Sequence, residues 1–318
     1  MGPPAVAIST PEYDSFLRFI DRADPCLAGE GEPVIIVDAF GEEDLSATWS
    51  WAALGARHGS SVVLANNRAP ARHADAQPGG GGAQRTVALP LRDYIRDHIL
   101  SANPPASPGS PAPLYANGWR VFSETREPLP ALRFAEGVDQ TAEIAAAVDK
   151  TLLGGGKGSS AQATNPAPLP AWIAAVVTAL TKLFLGPAGT VTRLHYDAGS
   201  AHGLLAQIAG RKLFVLLPPR ATPALHVLAS EPETVQSPVD PLDPGAAATR
   251  WPGYGALRPL AAVLAPGEAI LVPQGWWHYA VALEPSLTLQ RNFYHAATNA
   301  KGLVAMVLGT VAKLRKQT

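Results

Sequence analysis

His195 and Asp197 stand two residues apart in Leu194-His195-Tyr196-Asp197, and His278 closes the run Pro273-Gln274-Gly275-Trp276-Trp277-His278. Two imidazoles and one carboxylate can grip a divalent iron on one face and leave the opposite face open, the ligand set that suits non-haem Fe(II) oxygenases. The spacing of the first pair fits an extended strand, where residues i and i+2 point to the same side. The third ligand must then arrive from a distant strand, and a jelly roll or small β-barrel brings such strands together at a common mouth. His-x-Asp alone recurs by chance, and His278 alone reads equally as a half-buried histidine beside two tryptophans. The flanking residues change that balance.

An apolar strand over Leu183-Phe184-Leu185, a Gly186-Pro187-Ala188-Gly189 turn and a second extended segment, Thr190 to Leu194, deliver His195 at a strand end. A small-residue loop, Ala198 to Ala201, follows Asp197. The stretch Leu204 to Pro219 reads as two strands joined at Ala209-Gly210, the second closed by a double proline. Further on, Ala265-Pro266-Gly267-Glu268 is a turn that launches the strand Ala269 to Pro273, and His278 stands after the next bend.

From about Leu183 to Tyr294 the chain resembles the cupin-like Jumonji-C group of Fe(II)- and 2-oxoglutarate-dependent oxygenases, in the branch containing the asparaginyl hydroxylase of hypoxia-inducible factor. Seven stretches in order carry the resemblance: Gly186-Pro187 with Thr190-Val191-Thr192, Leu194-His195-Tyr196-Asp197, Gln207 with Gly210-Arg211-Lys212, Pro218-Pro219, Pro266-Gly267-Glu268, Trp276-Trp277-His278, and Ser286-Leu287-Thr288 leading to Asn292-Phe293. Pro33 to Val37 and the tryptophan-bearing segment after it are a looser match to that family's opening strand and helix. The resemblance implies a mainly β fold with flanking helices, a double-stranded β-helix or jelly roll, with His195, Asp197 and His278 as iron ligands.

It also implies a site for 2-oxoglutarate. This cosubstrate would chelate iron through one carboxylate and its keto oxygen, so its other carboxylate needs a cation on a neighbouring strand. Lys212 lies where the family places that lysine, and Thr192 and Tyr115 match its hydroxyl partners. Arg211 alternates to the other face and is the weaker cation. Asn292 is a further residue for this pocket, with strand-end hydrogen bonding as its alternative. The chain departs from the family pattern four residues before Gln207, where Gly203 replaces an asparagine and His202 stands beside it. Three protein ligands already leave iron only the positions that 2-oxoglutarate and oxygen need. His202 is therefore expected to line the pocket without binding metal.

Composition agrees with a water-soluble enzyme. The 318 residues are ample for one large β-rich domain, and 47% of them are apolar. Against 26 acidic residues stand 25 basic ones, a net charge of −1, so no strong pull toward nucleic acid or membrane follows. The lone Cys26 excludes an internal disulfide framework and fits a reducing, intracellular compartment, cytoplasmic or nuclear. The N-terminus lacks the basic start and apolar core of a secretory signal, and no apolar run approaches the roughly 20 residues of a membrane helix.

A single domain over residues 1–318 is expected, with an N-terminal α/β elaboration over about 1–180, a jelly-roll core over about 181–295 and a C-terminal helix over about 299–316. Helices are expected near 11–23, 49–56, 91–100, 139–153 and 172–180. Gly/Pro/Ser-rich insertions punctuate this half at 73–84, 101–113 and 154–168. The C-terminal segment carries Leu303, Val304, Val307, Leu308, Val311 and Leu314 at helical spacing, a stripe that can cap the barrel or build a homodimer. The expected reaction is hydroxylation, or demethylation by way of hydroxylation, with Fe(II), 2-oxoglutarate and O2. A protein or peptide is the first candidate substrate. A tRNA base, which the family also hydroxylates, is the second, and a non-catalytic cupin-like metal-binding protein is the reading from a different class.

Overall fold

The computed structural model describes residues 6–8, 31–41, 44–67, 86–101, 113–125, 127–130, 132, 138–152, 175–176, 178–228 and 234–315. Its fourteen strands among the described residues are β1 Val6–Ile8, β2 Val34–Ile36, β3 Val62–Asn66, β4 Thr86–Pro90, β5 Ala116–Trp119, β6 Thr181–Gly186, β7 Val191–Asp197, β8 His202–Ala209, β9 Lys212–Leu217, β10 Thr234–Gln236, β11 Leu260–Leu264, β12 Ala269–Val272, β13 Trp277–Ala282 and β14 Ser286–Phe293. Twelve of them form two facing sheets, ordered β1-β2-β12-β8-β14-β6-β5 and β10-β7-β13-β9-β11. Apart from the parallel pair β1 and β2, all pairings within these sheets are antiparallel. This is a cupin-like jelly roll, as expected from the sequence.

Strand alternation explains the layers. Along β8, Leu204, Ala206 and Ile208 face outward into a core that covers the larger sheet. Leu205 points the other way, into the space between the sheets, where it meets Phe214, Leu216, Ile270, Val272 and Trp276. Because both faces are covered, β8 is buried along nearly its whole length and its sequence is an apolar run rather than an alternation. The turn after it needs a glycine. Gly210 has φ 68°, and a Cβ there would collide with the Pro285 carbonyl oxygen. The chain then crosses to the other sheet as β9.

The N-terminal region contributes the outer layer. Helices α1 Leu45–Trp49 and α2 Trp51–His58 are separated at Ser50, whose hydroxyl accepts from the Ala53 amide at 3.2 Å. The helix expected near 49–56 is thus α2, with the short α1 standing before it. The segment expected over 91–100 is α3 Leu91–Tyr94, continued by a π-type turn, Ile95–Ile99. Helix α4 is Val121–Thr125 and α5 is Thr141–Leu152, which matches the expectation for 139–153. The β3–β4 hairpin and α6 Pro244–Arg250, capped by Asp243, were not anticipated. Residues 11–23, Cys26, 73–84, 102–112 and 154–168 lie outside the described residues; of 172–180, residues 175–176 and 178–179 are helical.

The C-terminal helix α7, Ala300–Arg315, turns Leu303 and Val307 into a cluster with Ile144 and Val148 of α5 and with Tyr294. That part of its apolar stripe is used within the chain. No helix among the described residues is long and apolar enough to cross a membrane.

Candidate metal and cosubstrate site

Strands β7 and β13 are neighbours, and His195 and His278 are direct cross-strand partners. Their rings stand 4.1 Å apart between centroids. Asp197 lies two residues along β7 on the same side, its Oδ1 3.9 Å from His195 Nε2. One ligand atom from each of the three residues lies within 4.8 Å of the others, and all three side chains are buried.

Each histidine is oriented by its own chain. His195 Nδ1 is 2.7 Å from the Arg193 carbonyl oxygen, and His278 Nδ1 is 3.1 Å from that of Trp276. A carbonyl only accepts, so Nδ1 donates in both rings, and in the neutral tautomer this leaves the lone pair on Nε2. Such a partner on the far nitrogen is the usual support for a metal-binding imidazole. Two neutral imidazole nitrogens and a carboxylate fit Fe(II) by donor type.

The cosubstrate candidates gather around Lys212. It is 2% exposed, at the start of β9. Its ammonium donates to Tyr115 Oη at 3.1 Å and to Thr288 Oγ1 at 3.2 Å, and lies 5.4 and 5.7 Å from the ring centroids of Tyr115 and Phe184. Tyr115 Oη is 3.2 Å from Thr192 Oγ1. Thr288 passes its own proton to Gln207 Oε1 at 2.9 Å, which leaves its oxygen to accept from Lys212. Gln207 is itself held through Nε2 by Ser286 Oγ and the carbonyls of Ala209 and Gly210. An ammonium has three N–H donors, and no acidic side chain among the described residues pairs with this one. A buried cation without a counter-charge is costly, so the pocket fits an anionic ligand.

Thr192 reaches this cluster only because β7 is irregular. Three residues separate it from His195, and strict alternation would put the two on opposite faces. Between His278 and Ala280 on β13 the register slips, so that one residue there, Tyr279, opposes two on β7, Arg193 and Leu194 (His278 pairs with His195, Ala280 with Thr192). This bulge turns Thr192 to the side of Tyr115.

Asn292 stands apart from Lys212. Its Oδ1 accepts from Gln290 Nε2 at 3.0 Å, and the same nitrogen donates to Asp197 Oδ2 at 3.2 Å. His202 is held at both ring nitrogens: Nδ1 accepts from the Gln274 amide at 3.1 Å, and Nε2 donates to Thr298 Oγ1 at 2.9 Å. Burial, with His295 nearby, pushes its pKa down to about 4. Neither nitrogen is left for a metal. The other nearby cations are engaged elsewhere, Arg211 with Glu284 and Arg291 with Asp139, each at 2.6 Å. Trp276 and Trp277 pack the barrel rather than line a surface groove: Trp276 belongs to the inner core, and Trp277 meets Tyr196 edge-on and donates to Thr222.

Thr288 and Gln290 were not singled out for any role from sequence. The available signal is the alternation Ser286, Thr288, Gln290, Asn292 along β14, a polar row facing the barrel interior.

A family model described as "Cupin-like domain" matches residues 22–300. The chain belongs to the cupin-like Jumonji-C family. Its relatives include Jumonji C domain-containing protein 5 of Drosophila melanogaster, 34% identical over 110 residues, which are 34% of this chain and 26% of that protein. Lysine-specific demethylase JMJ30 of Arabidopsis thaliana is 36% identical over 106 residues, 33% of this chain and 24% of that one. HSPB1-associated protein 1 of Homo sapiens is 32% identical over 105 residues, 32% and 21% respectively. The matched stretches thus span about a quarter or less of these relatives. The kinship is to a family of Fe(II)- and 2-oxoglutarate-type oxygenases.

Proposed function

We propose that this chain is an Fe(II)- and 2-oxoglutarate-dependent dioxygenase that hydroxylates a substrate, or demethylates it by way of hydroxylation, most readily on a protein side chain. The observation that carries the reading is the pairing of two features in one barrel: a histidine–aspartate–histidine cluster with both Nδ1 atoms held by backbone carbonyls, and a buried Lys212 ammonium with no acidic partner among the described residues. A cupin that merely stored metal would need the first and not the second.

His195, Asp197 and His278 would hold the iron from one side. Lys212, Thr192 and Tyr115 would hold the far carboxylate of 2-oxoglutarate, with Thr288 as a fourth partner that orients the ammonium. Lys212 donates to Tyr115, and the Tyr115 and Thr192 hydroxyls share a 3.2 Å hydrogen bond, so all three would face an incoming carboxylate together. When bound, iron would supply C–H hydroxylation with O2 as the oxidant and 2-oxoglutarate as the co-substrate that is oxidised to succinate and CO2. The protein supplies position and a dry wall, here the core of Leu205, Val272 and Trp276 behind the histidines.

A protein substrate is favoured because two relatives of this chain are named as lysine- and arginine-specific demethylases. The net charge of −1 offers little attraction to a tRNA backbone. Incubation with Fe(II), 2-oxoglutarate and O2, with and without peptide pools, tests the reading. Succinate should form, more of it with a peptide that gains the mass of one oxygen or loses a methyl group. No succinate under any of these conditions would contradict it.

A further inference from the structure

The two oxygens of Asp197 have different surroundings. Oδ1 lies on the histidine side, 3.9 Å from His195 Nε2. Oδ2 accepts a 3.2 Å hydrogen bond from Gln290 Nε2 on β14. The same amide nitrogen donates to Asn292 Oδ1 at 3.0 Å, so both of its protons have targets. A carboxamide turned the other way would set its own oxygen against two acceptors. The carboxylate selects the N–H end of Gln290, Asn292 takes the second proton of that amide, and Gln290 is only 6% exposed.

Gly203 makes this contact possible. It is the β8 partner of Asn292, and a Cβ there would stand 3.2 Å from Asp197 Oδ2. That spacing is tight enough to displace the carboxylate. The space beside Asp197 is left open on β8 and is served from β14 instead.

We propose that Gln290, backed by Asn292 and given room by Gly203, is a positioning residue of the metal centre, holding Asp197 Oδ2 so that Oδ1 turns to the metal. The inference rests on the reading of His195, Asp197 and His278 as ligands. Its chemical purpose is to keep the aspartate monodentate. A carboxylate free to rotate could bind through both oxygens and take a coordination position that the cosubstrate or oxygen needs. A fixed carboxylate also loses less freedom when the ion arrives.

Gln290→Met keeps the length of the side chain and removes the donor. The test is anaerobic calorimetric titration of the full chain with Fe(II), followed by addition of 2-oxoglutarate and recording of the visible charge-transfer band, with thermal unfolding of the metal-free protein alongside. Loss of an outer partner of a metal ligand costs about 10–100-fold in metal affinity. Gln290→Met should bind Fe(II) weaker by that factor and shift the band, while the metal-free unfolding temperature stays close to that of the parent. Asn292→Ala, which removes the second acceptor that steadies the Gln290 amide, should fall between the two, and it carries the comparison alone if Gln290→Met does not fold. Equal Fe(II) affinity and an unshifted band in the variant would overturn the inference and leave the metal centre standing. A parent chain that binds no Fe(II) would overturn the metal-centre reading and this inference with it.

Discussion

Asp197 joins the metal cluster to the polar row on β14, and its loss should be felt most. Asp197→Ala removes the only charged ligand of the proposed set, and we expect no measurable Fe(II) binding in an anaerobic titration; binding equal to the parent would remove Asp197 from the site. Lys212→Ala should act differently, leaving Fe(II) binding largely intact and raising the 2-oxoglutarate requirement. An uncompensated buried charge costs about 3–5 kcal/mol, which is roughly 10²–10⁴-fold in that requirement, read from the dependence of succinate formation on 2-oxoglutarate. His202 predicts a pH effect on stability. Its folded pKa of about 4 lies below the ordinary 6.5, so between those values the unfolded chain binds a proton that the folded one refuses. Stability from this group is complete above about pH 6.5 and is lost as pH falls toward 4. The groups facing it are His295, Thr298, the Gln274 amide and the Phe293 ring. In His202→Gln the drop in unfolding temperature from pH 7 to pH 5 should be smaller than in the parent, and an unchanged drop would assign the pH dependence to other groups.

Among the elements, α7 reaches the loop that follows Asp197. A Cβ at Gly302 would strike the Gly199 carbonyl oxygen and press on the Tyr294 ring, and Asn299 Nδ2 donates to the Ser200 carbonyl at 2.8 Å. Gly302→Val should therefore push helix and loop apart, at a cost of about 1–3 kcal/mol typical of overpacking. A drop in the denaturant midpoint, together with weaker Fe(II) binding, would show it; an unchanged midpoint would mean that the helix does not bear on the loop. The strands carrying the site were legible in the sequence because their apolar runs and Gly/Pro turns are strong local signals. The bulge in β7 was not, since a register slip depends on how two distant strands pair. Thr192 was placed beside Lys212 by resemblance, and its facing is intelligible only with that bulge. Gln290 was missed for a related reason: its partner Asp197 is 93 residues away, and alternation along β14 shows a polar face without saying what it meets. The Asp243-capped helix α6 is short and opens on Pro244-Gly245, a pair that locally favours a turn.

At the scale of the whole molecule, the jelly roll gathers its proposed ligands from three strands in both sheets' common interior: β7 and β13 for the metal, β9 for the cosubstrate. Resemblance carried the fold class and the ligand pattern, because those depend on ordered motifs that survive in one sequence. The substrate was not legible, because no single residue type at the mouth specifies it, and Trp276 and Trp277, beside the third ligand, are core residues. The central claim, one barrel holding Fe(II) and 2-oxoglutarate side by side, is tested most directly by a crystal structure of the chain grown anaerobically with both. The account predicts a metal at roughly 2.0–2.2 Å from His195 Nε2, His278 Nε2 and one Asp197 oxygen, a normal range for such bonds, with the far carboxylate of 2-oxoglutarate on Lys212 Nζ and Thr192 Oγ1. A metal ligated by His202, or 2-oxoglutarate bound away from Lys212, would contradict it.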